Sequence, residues 1–332
     1  MLVPRCLTNK NNQWLLVVIS IVVISVLFLA PTAWADSNES ESFHINIPSK
    51  HLGISFGNSR GVNGIRINLC DDGLEYVNGL NLTLWKPKEN NDAVIRGFAI
   101  GIVAPQADRI NGIALGGIGV SGGKLRGITV GTIGIASDEV RGIGIGGIGL
   151  ASGRISGITF GGIGIAAERL RGIGIGGIGI ASESVTGFAF GGIGAAMENV
   201  KGIGIGGIGV ACESVTGLVV GGVGAAAEDV TGVAFGGIGI AAEDMTGLCL
   251  GGIGIGCQNL TGVAMAVGGI KTEDLTGLGI AGYCGVKGVQ NGLTIGVVNY
   301  TDELHGAQLG VINIAGNNSG ILKVLPLVNY HR

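Results

Sequence analysis

Carboxylates that recur at a fixed interval are the residues of this sequence best suited to chemistry. Glutamate returns in successive fifteen-residue copies at Glu168, Glu183, Glu198, Glu213, Glu228, Glu243 and Glu273, and aspartate follows it at Asp229, Asp244 and Asp274. Carboxylate oxygens are the ligands that Ca²⁺ prefers. The basic residues that could neutralise these carboxylates accompany only the first half of the column; they are Arg154, Arg169, Arg171 and Lys201. The candidate divalent-cation site is therefore Glu228, Asp229, Glu243 and Asp244. The alternative is a solvated acidic edge that keeps the protein soluble.

A column of threonines is the second recurring polar feature. It comprises Thr216, Thr231, Thr246, Thr261 and Thr276. If the copies stack, these hydroxyls form a flat surface that could bind a glycan, ice or another repeat face. Threonine is also an ordinary residue for the exterior of a sheet. We treat this column as the candidate interaction face.

Two glycine motifs match catalytic or nucleotide-binding patterns without the required context. The segment Gly144–Gly149 fits G-x-G-x-x-G, and Gly119–Gly123 fits G-x-S-x-G. Both patterns need a strand before them and a helix after them, and no helix can follow in so glycine-rich a stretch. The histidines lie outside the repeats and fit no zinc-ligand spacing. The sequence therefore predicts a protein that is not an enzyme and has no cofactor, Ca²⁺ aside.

The element that must position the two columns is the fifteen-residue repeat itself. With Arg171–Val185 numbered as positions 1 to 15, glycine holds position 2 in every copy from Gly97 to Gly292. Apolar residues hold positions 3, 5, 8, 10 and 15, and a glycine pair holds positions 6 and 7. Positions 11 to 14 are small or polar, which is typical of turns. Each copy is thus predicted to contain a strand, a bend, a second strand and a turn. The bend lies at the glycine pair, which allows either positive φ or a sharp corner.

The repeat predicts an all-β protein and leaves two architectures open. In a parallel β-solenoid each copy is one coil, and all five apolar positions point inward to form an aliphatic column. The unvarying period favours this fold, because one coil of changed length would disturb every stacked position. In an antiparallel meander or barrel each copy is one strand. An alternation over thirty residues, with Ile145, Phe160, Ile175 and Phe190 at position 5, favours that alternative.

Four segments follow from the pattern along the chain. Residues 1–35 resemble a secretory signal peptide, since basic residues precede an apolar run over 14–30 and an A-x-A site over 33–35. An uncleaved anchor formed by residues 14–30, which would hold the protein at an inner membrane, is the alternative. Residues 36–95 are predicted as an N-terminal cap with degenerate repeats, 96–290 as the glycine-rich array, and 291–332 as C-terminal cap repeats.

The two ends of the chain resemble a bacterial surface-repeat protein family described from spirochaetes. The resemblance is carried by Asn291–Tyr300 (NGLTIGVVNY), Val324–Tyr330 (VLPLVNY) and Val62–Leu69 (VNGIRINL), against family units that read roughly G-L-Q-I-G-L-V-N. The array between them departs from those units, with Gly-Ile-Gly in place of Leu-Val-Asn. The resemblance implies an exported, surface-associated bacterial protein and supplies no catalytic residues.

Composition narrows the function further. The formal net charge is −3 and charged residues make up 13% of the chain. This composition indicates no positively charged surface that would attract nucleic acid. The mean hydropathy of +0.55 favours membrane association or self-assembly through repeat faces. We therefore expect an exported, non-enzymatic structural or adhesion element of a bacterial cell surface, outer membrane or periplasm. The alternative is a membrane-embedded β-sheet or barrel with a channel-like role.

Overall fold

The computed structural model describes residues 44–49, 52–88, 90 and 92–332. The predicted signal peptide or anchor, residues 1–35, lies outside these residues. None of the helices in the described ranges is both long and apolar enough to span a bilayer. The chain divides after Gly177 into two compact units, called unit 1 and unit 2.

The described residues of unit 1 form ten strands. They are β1 His44–Ser49, β2 Leu52–Gly57, β3 Gly61–Asn68, β4 Tyr76–Thr83, β5 Val94–Gly101, β6 Gln106–Gly116, β7 Gly119–Gly131, β8 Gly134–Gly146, β9 Gly149–Gly161 and β10 Gly164–Gly176.

Unit 2 contains thirteen strands and one short 3₁₀ helix. The strands are β11 Gly179–Gly191, β12 Gly194–Gly206, β13 Gly209–Gly221, β14 Gly224–Ala226, β15 Asp229–Gly236, β16 Gly239–Ala241, β17 Asp244–Gly251, β18 Gly254–Gly256, β19 Asn259–Ala266, β20 Gly269–Thr272, β21 Asp274–Ile280, β22 Tyr283–Ala315 and β23 Val324–His331, and the helix is Gly320–Lys323.

Each unit is a parallel β-solenoid whose coils are fifteen residues long. In unit 1, Gly142 of β8 pairs with Gly157 of β9, and in unit 2, Gly202 of β12 pairs with Gly217 of β13. Because these pairings are parallel and offset by one repeat, the solenoid prediction is confirmed and the antiparallel alternative is wrong. The period shifts only locally, for example where Tyr76 pairs with Val94 around the loop after β4.

The core uses different positions from those predicted. Positions 10 and 15 point inward as expected: Leu150 and Ile155 of β9 are each 1% exposed. Positions 3, 5 and 8 point outward instead, and Ile158, Phe160 and Ile163 are 39%, 39% and 46% exposed. The predicted turn at positions 11–14 is also wrong in unit 1, where one strand runs from position 9 to position 6 of the next copy. Since side chains alternate along a continuous strand, an inward position 15 leaves positions 1, 3 and 5 outside.

The repeated glycines have two separate roles. Position 2 carries the positive φ, for instance +116° at Gly172, and of the two possibilities expected at the glycine pair the structure shows the bend. The pair still marks the bend, and it is needed because the coils approach each other too closely for a side chain. A Cβ atom on Gly147 would lie 1.8 Å from the backbone oxygen of Thr132. Glycine at both places is therefore a steric requirement.

The alternation at position 5 lies on the outside of the coils, but a matching alternation at position 4 arises from packing inside them. Position 4 points inward and alternates between small and larger residues, with Gly144 followed by Thr159 and then Gly174. Thr159 is fully buried, and a Cβ on Gly144 would lie 3.2 Å from its Cγ2 atom. In unit 2 the Cε atom of Met197 fills the space beside Gly204. Neighbouring coils thus share the interior volume, and the alternation does not report strand direction.

The first coils of unit 1 enclose polar side chains in addition to aliphatic ones. Arg66 is fully buried, forms an ion pair with Asp71, and donates hydrogen bonds to Asn81 Oδ1 at 2.9 Å and to the carbonyl of Ser59 at 3.1 Å. The antiparallel pair β1–β2 precedes these coils. Both features are expected of a terminal cap, because the open edge of a stack must be closed.

The last coils of unit 2 are closed in a similar way by buried amides. Asn299 donates to Asn313 Oδ1 at 2.7 Å, and Asn318 donates to Asn329 Oδ1 at 2.8 Å. Strand β23 returns antiparallel along β22 and covers its edge. The asparagines that distinguish the C-terminal repeats therefore lie inside the coils and link them.

Candidate interaction surfaces

The predicted threonine column exists as a surface of unit 2. Thr216 pairs with Thr231, Thr231 with Thr246, Thr246 with Thr261 and Thr261 with Thr276. All five side chains are exposed. The stack continues to Asn291. Whether this column binds a ligand stays a prediction.

The acidic residues proposed as a cation site stack in the same way. Asp229 pairs with Asp244, and Asp244 Oδ1 accepts a hydrogen bond of 2.6 Å from Asn259. Within the ranges that the structure describes, no three His, Cys, Asp or Glu side chains converge as a metal-binding group. Burial, followed by the charges of Glu213 and Glu183, raises the pKa of Glu198. The carboxylates thus repel one another along an edge, and Ca²⁺ binding there stays a prediction.

Three of the five described cysteines are core residues. Cys212, Cys249 and Cys284 are buried, Cys70 and Cys257 are half-buried, and none of the five forms a disulfide. Burial raises the pKa of Cys212 to about 12 and that of Cys284 to about 11. Since the thiolate is the nucleophile, burial disfavours the reactive form of these thiols.

One extended apolar surface is a feature that the sequence reasoning missed. We call it the aliphatic strip: the outward side chains at positions 3, 5 and 8 of each coil. In unit 1 its most exposed members are Phe98, Leu115, Ile118, Ile128, Ile143, Ile145, Ile148, Ile158, Phe160, Ile163 and Ile173. In unit 2 they are Ile178, Ile193, Ile203, Ile208, Val223, Phe235, Ile238, Ile253, Met265 and Ile295.

The size of the aliphatic strip sets it apart from an ordinary surface. At 37–49% exposure, the members in unit 1 together offer on the order of 800 Å² of apolar area, whereas soluble monomers usually expose patches of about 300–600 Å². In unit 2 the strip includes a groove of about 340 Å³ lined by Phe235, Met265 and Val267. The strip could have been found by extending the strand alternation outward from position 15 across position 2.

A second missed feature is a set of basic side chains at positions 14 and 1 of unit 1. We call it the basic face, and it comprises Arg96, Arg109, Lys124, Arg126, Arg141, Arg154, Arg169 and Arg171. Residues 94–177 contain eight basic and four acidic residues, a net charge of +4, whereas residues 178–290 contain three and nine, a net charge of −6. The inference that the chain lacks a positively charged surface is therefore wrong for unit 1. The net charge of the whole chain conceals the difference in charge between the two units.

One carboxylate lies within the basic face. Glu139 is 5% exposed and accepts a hydrogen bond from Arg141. Burial raises its pKa, but the hydrogen bond from Arg141 and the positive charges of Arg141, Arg154 and Arg126 together outweigh burial and lower it. Glu139 therefore stays ionised and offsets part of the repulsion among the arginines around it. Arg109 pairs with Asp108 at 3.3 Å.

Comparison with protein-family models, curated proteins and solved structures finds no match to this chain. The surfaces described above are therefore the basis for a functional assignment.

Proposed function

We propose that this chain is an exported, non-enzymatic interaction protein of a bacterial cell surface, and that its aliphatic strip is the working surface. The observation that carries the proposal is the outward orientation of positions 3, 5 and 8 in both units. Leaving this much apolar area in water is unfavourable by about 25 cal/mol per Å². An interface of standard size covers roughly 800 Å² of each partner, so one unit offers enough surface to bind.

The apparent signal sequence and the resemblance of the chain's ends to spirochaete surface-repeat proteins support export and a surface location. The repeated geometry supports a structural or adhesive role, because binding energy is spread over many equivalent side chains. A β-sheet surface of this kind in contact with a membrane is the second candidate, and the same apolar area favours it.

The test replaces part of the strip while preserving the strands. Ile143→Thr, Ile158→Thr and Ile173→Thr, made together, remove apolar area at position 3 but keep β-branched residues. Thr216→Ala, Thr231→Ala and Thr246→Ala form the matched control on the threonine column. Retention in the envelope fraction of exporting cells is measured, together with self-association by sedimentation velocity.

We expect the isoleucine variant to lose at least tenfold in retention or self-association, with unchanged circular dichroism, and the threonine variant to change little. A wild-type chain that is monomeric and unretained would overturn the proposal. If only the threonine variant loses retention or self-association, the working surface is the threonine column and not the aliphatic strip.

A further inference from the structure

The basic face and the aliphatic strip of unit 1 lie side by side. Position 1 precedes position 3 by two residues in every coil, so the column containing Arg126 and Arg141 runs next to the column containing Ile128 and Ile143, about 6–7 Å away at the strand rise. The register confirms both columns, with Arg126 paired to Arg141 and Ile128 paired to Ile143. Unit 1 therefore presents one continuous amphipathic surface.

We propose that this amphipathic surface of unit 1 binds the surface of a bilayer that contains anionic lipids. This inference rests on the proposed function and names the partner of the same strip. Apolar side chains bordered by Lys and Arg are the pattern by which proteins lie in the membrane interface. The strip enters the boundary between headgroups and acyl chains, and the guanidinium groups contact lipid phosphates.

The arginines are suited to this geometry by their length and exposure. Arg126, Arg154, Arg169 and Arg171 are exposed, and in the described ranges none of them lies within ion-pair distance of a carboxylate. Their alkyl stems can lie along neighbouring isoleucines while the charged ends reach outward. Glu139 offsets part of the positive charge of Arg126 and Arg154, and anionic lipid phosphates would offset the rest.

The composition of the surface favours lipid over nucleic acid. Single-stranded nucleic acid binds proteins through aromatic side chains on which bases stack, and positions 14 and 1 of unit 1 carry no aromatic residue between Arg96 and Arg171. A polyanion alone would also leave the adjoining isoleucines in water. Only a partner with both anionic groups and apolar chains satisfies the two columns together.

Unit 2 provides an internal contrast. At the positions that are basic in unit 1, it carries Thr216, Thr231 and Thr246 at position 1 and Asp229 and Asp244 at position 14. Its aliphatic strip is present, but apart from Lys201 its neighbouring columns are neutral or acidic. Electrostatic attraction to anionic lipid should therefore come mainly from unit 1.

The test measures binding of the full chain, as recovered from exporting cells, to sedimenting vesicles. One set is phosphatidylcholine and the other is phosphatidylcholine with roughly one third phosphatidylglycerol. The charge variant is Arg126→Gln, Arg154→Gln, Arg169→Gln and Arg171→Gln together. The matched control removes four charges from unit 2 by Lys201→Gln, Lys271→Gln, Lys287→Gln and Lys323→Gln. Both variants retain the same N-terminal apolar segment.

We expect the wild type to bind the anionic vesicles more tightly than the neutral ones, and to weaken as salt rises. Each basic residue near an anionic membrane contributes about fivefold in affinity, so the arginine variant should lose at least fiftyfold and the lysine control less than tenfold. The Ile143→Thr, Ile158→Thr and Ile173→Thr variant should weaken binding to both vesicle types.

Three results would overturn the inference. The first is binding with no preference for anionic vesicles, and the second is an equal loss of vesicle affinity in the arginine and lysine variants. The third is binding to heparin or RNA that is tighter than binding to vesicles and is unchanged by the isoleucine substitutions. The last would identify a soluble polyanion as the partner. If self-association still depends on the strip while vesicles are not bound, the proposed function stands and the membrane inference fails.

Discussion

At the scale of single residues, the glycine at position 2 imposes the strictest local requirement. Gly202 has φ of +130°, and a Cβ there would lie 2.2 Å from the backbone oxygen of Gly187 in the preceding coil. Two separate obstacles therefore exclude other residues: a backbone conformation that L side chains rarely adopt, and a neighbouring carbonyl that is fixed by the sheet ladder.

We predict that Gly202→Ala lowers the free energy of unfolding by at least about 3 kcal/mol, because strain at positive φ adds to the clash. Gly256→Ala is the matched control, since a Cβ there meets nothing within 4 Å, and it should change stability by less than about 1 kcal/mol. Urea unfolding measures both. Similar losses in the two variants would contradict the steric explanation.

At the scale of the element, the unvarying period favoured the parallel solenoid over the antiparallel alternative, but it did not indicate which side of each strand is buried. The small and polar residues at positions 11–14, such as Ala166 and Ala167, suggested a turn, yet they continue the strand β10. Within one strand the alternation shifts once between the buried positions 10 and 15, which are five residues apart, and from position 15 onward it leaves positions 3 and 5 outside. The basic face was hidden because charge was counted over the whole chain.

The stacking of unit 2 can be checked by cross-linking. Asn199 pairs with Ser214, and Met197 with Cys212, so Glu198 and Glu213 lie on adjacent coils about 4.8 Å apart. In a background without the native cysteines, Glu198→Cys with Glu213→Cys should form a disulfide on mild oxidation, since that spacing suits the bond. Glu183→Cys with Glu213→Cys, two coils apart at about 10 Å, should not. Gel mobility with and without reductant, followed by peptide mapping, distinguishes them, and equal yields would contradict the register.

At the scale of the whole molecule, the chain closes its two ends and separates its charge. The described part of unit 1 starts with an antiparallel pair and a buried Arg66–Asp71 ion pair, and unit 2 ends with an antiparallel strand over buried asparagines. Open edges of parallel strands would otherwise recruit further strands. Association is thereby directed away from the ends and toward the repeat faces, where unit 1 is basic and unit 2 acidic.

We predict that removal of residues 316–332 causes aggregation. Strand β23 would be lost, the edge of β22 over Gly306–Ile314 would be exposed, and Asn313 would lose its acceptor on Leu325. Light scattering after size-exclusion chromatography should show large species for the truncated chain. Removal of Arg332 alone should leave the profile unchanged, and a truncated chain with the wild-type profile would contradict the capping role.

The alternation at position 4 has a consequence for how such a gene changes in length. Near-identical repeats are prone to duplication and deletion during replication, and each coil contacts only its neighbours. Loss of the coil containing Gly144 would bring the buried Thr129 against Thr159, whereas loss of that coil and the next would place Thr129 beside Gly174. Gain or loss of coils is therefore tolerated best in pairs. Arrays from related lineages should differ in length by thirty residues more often than by fifteen.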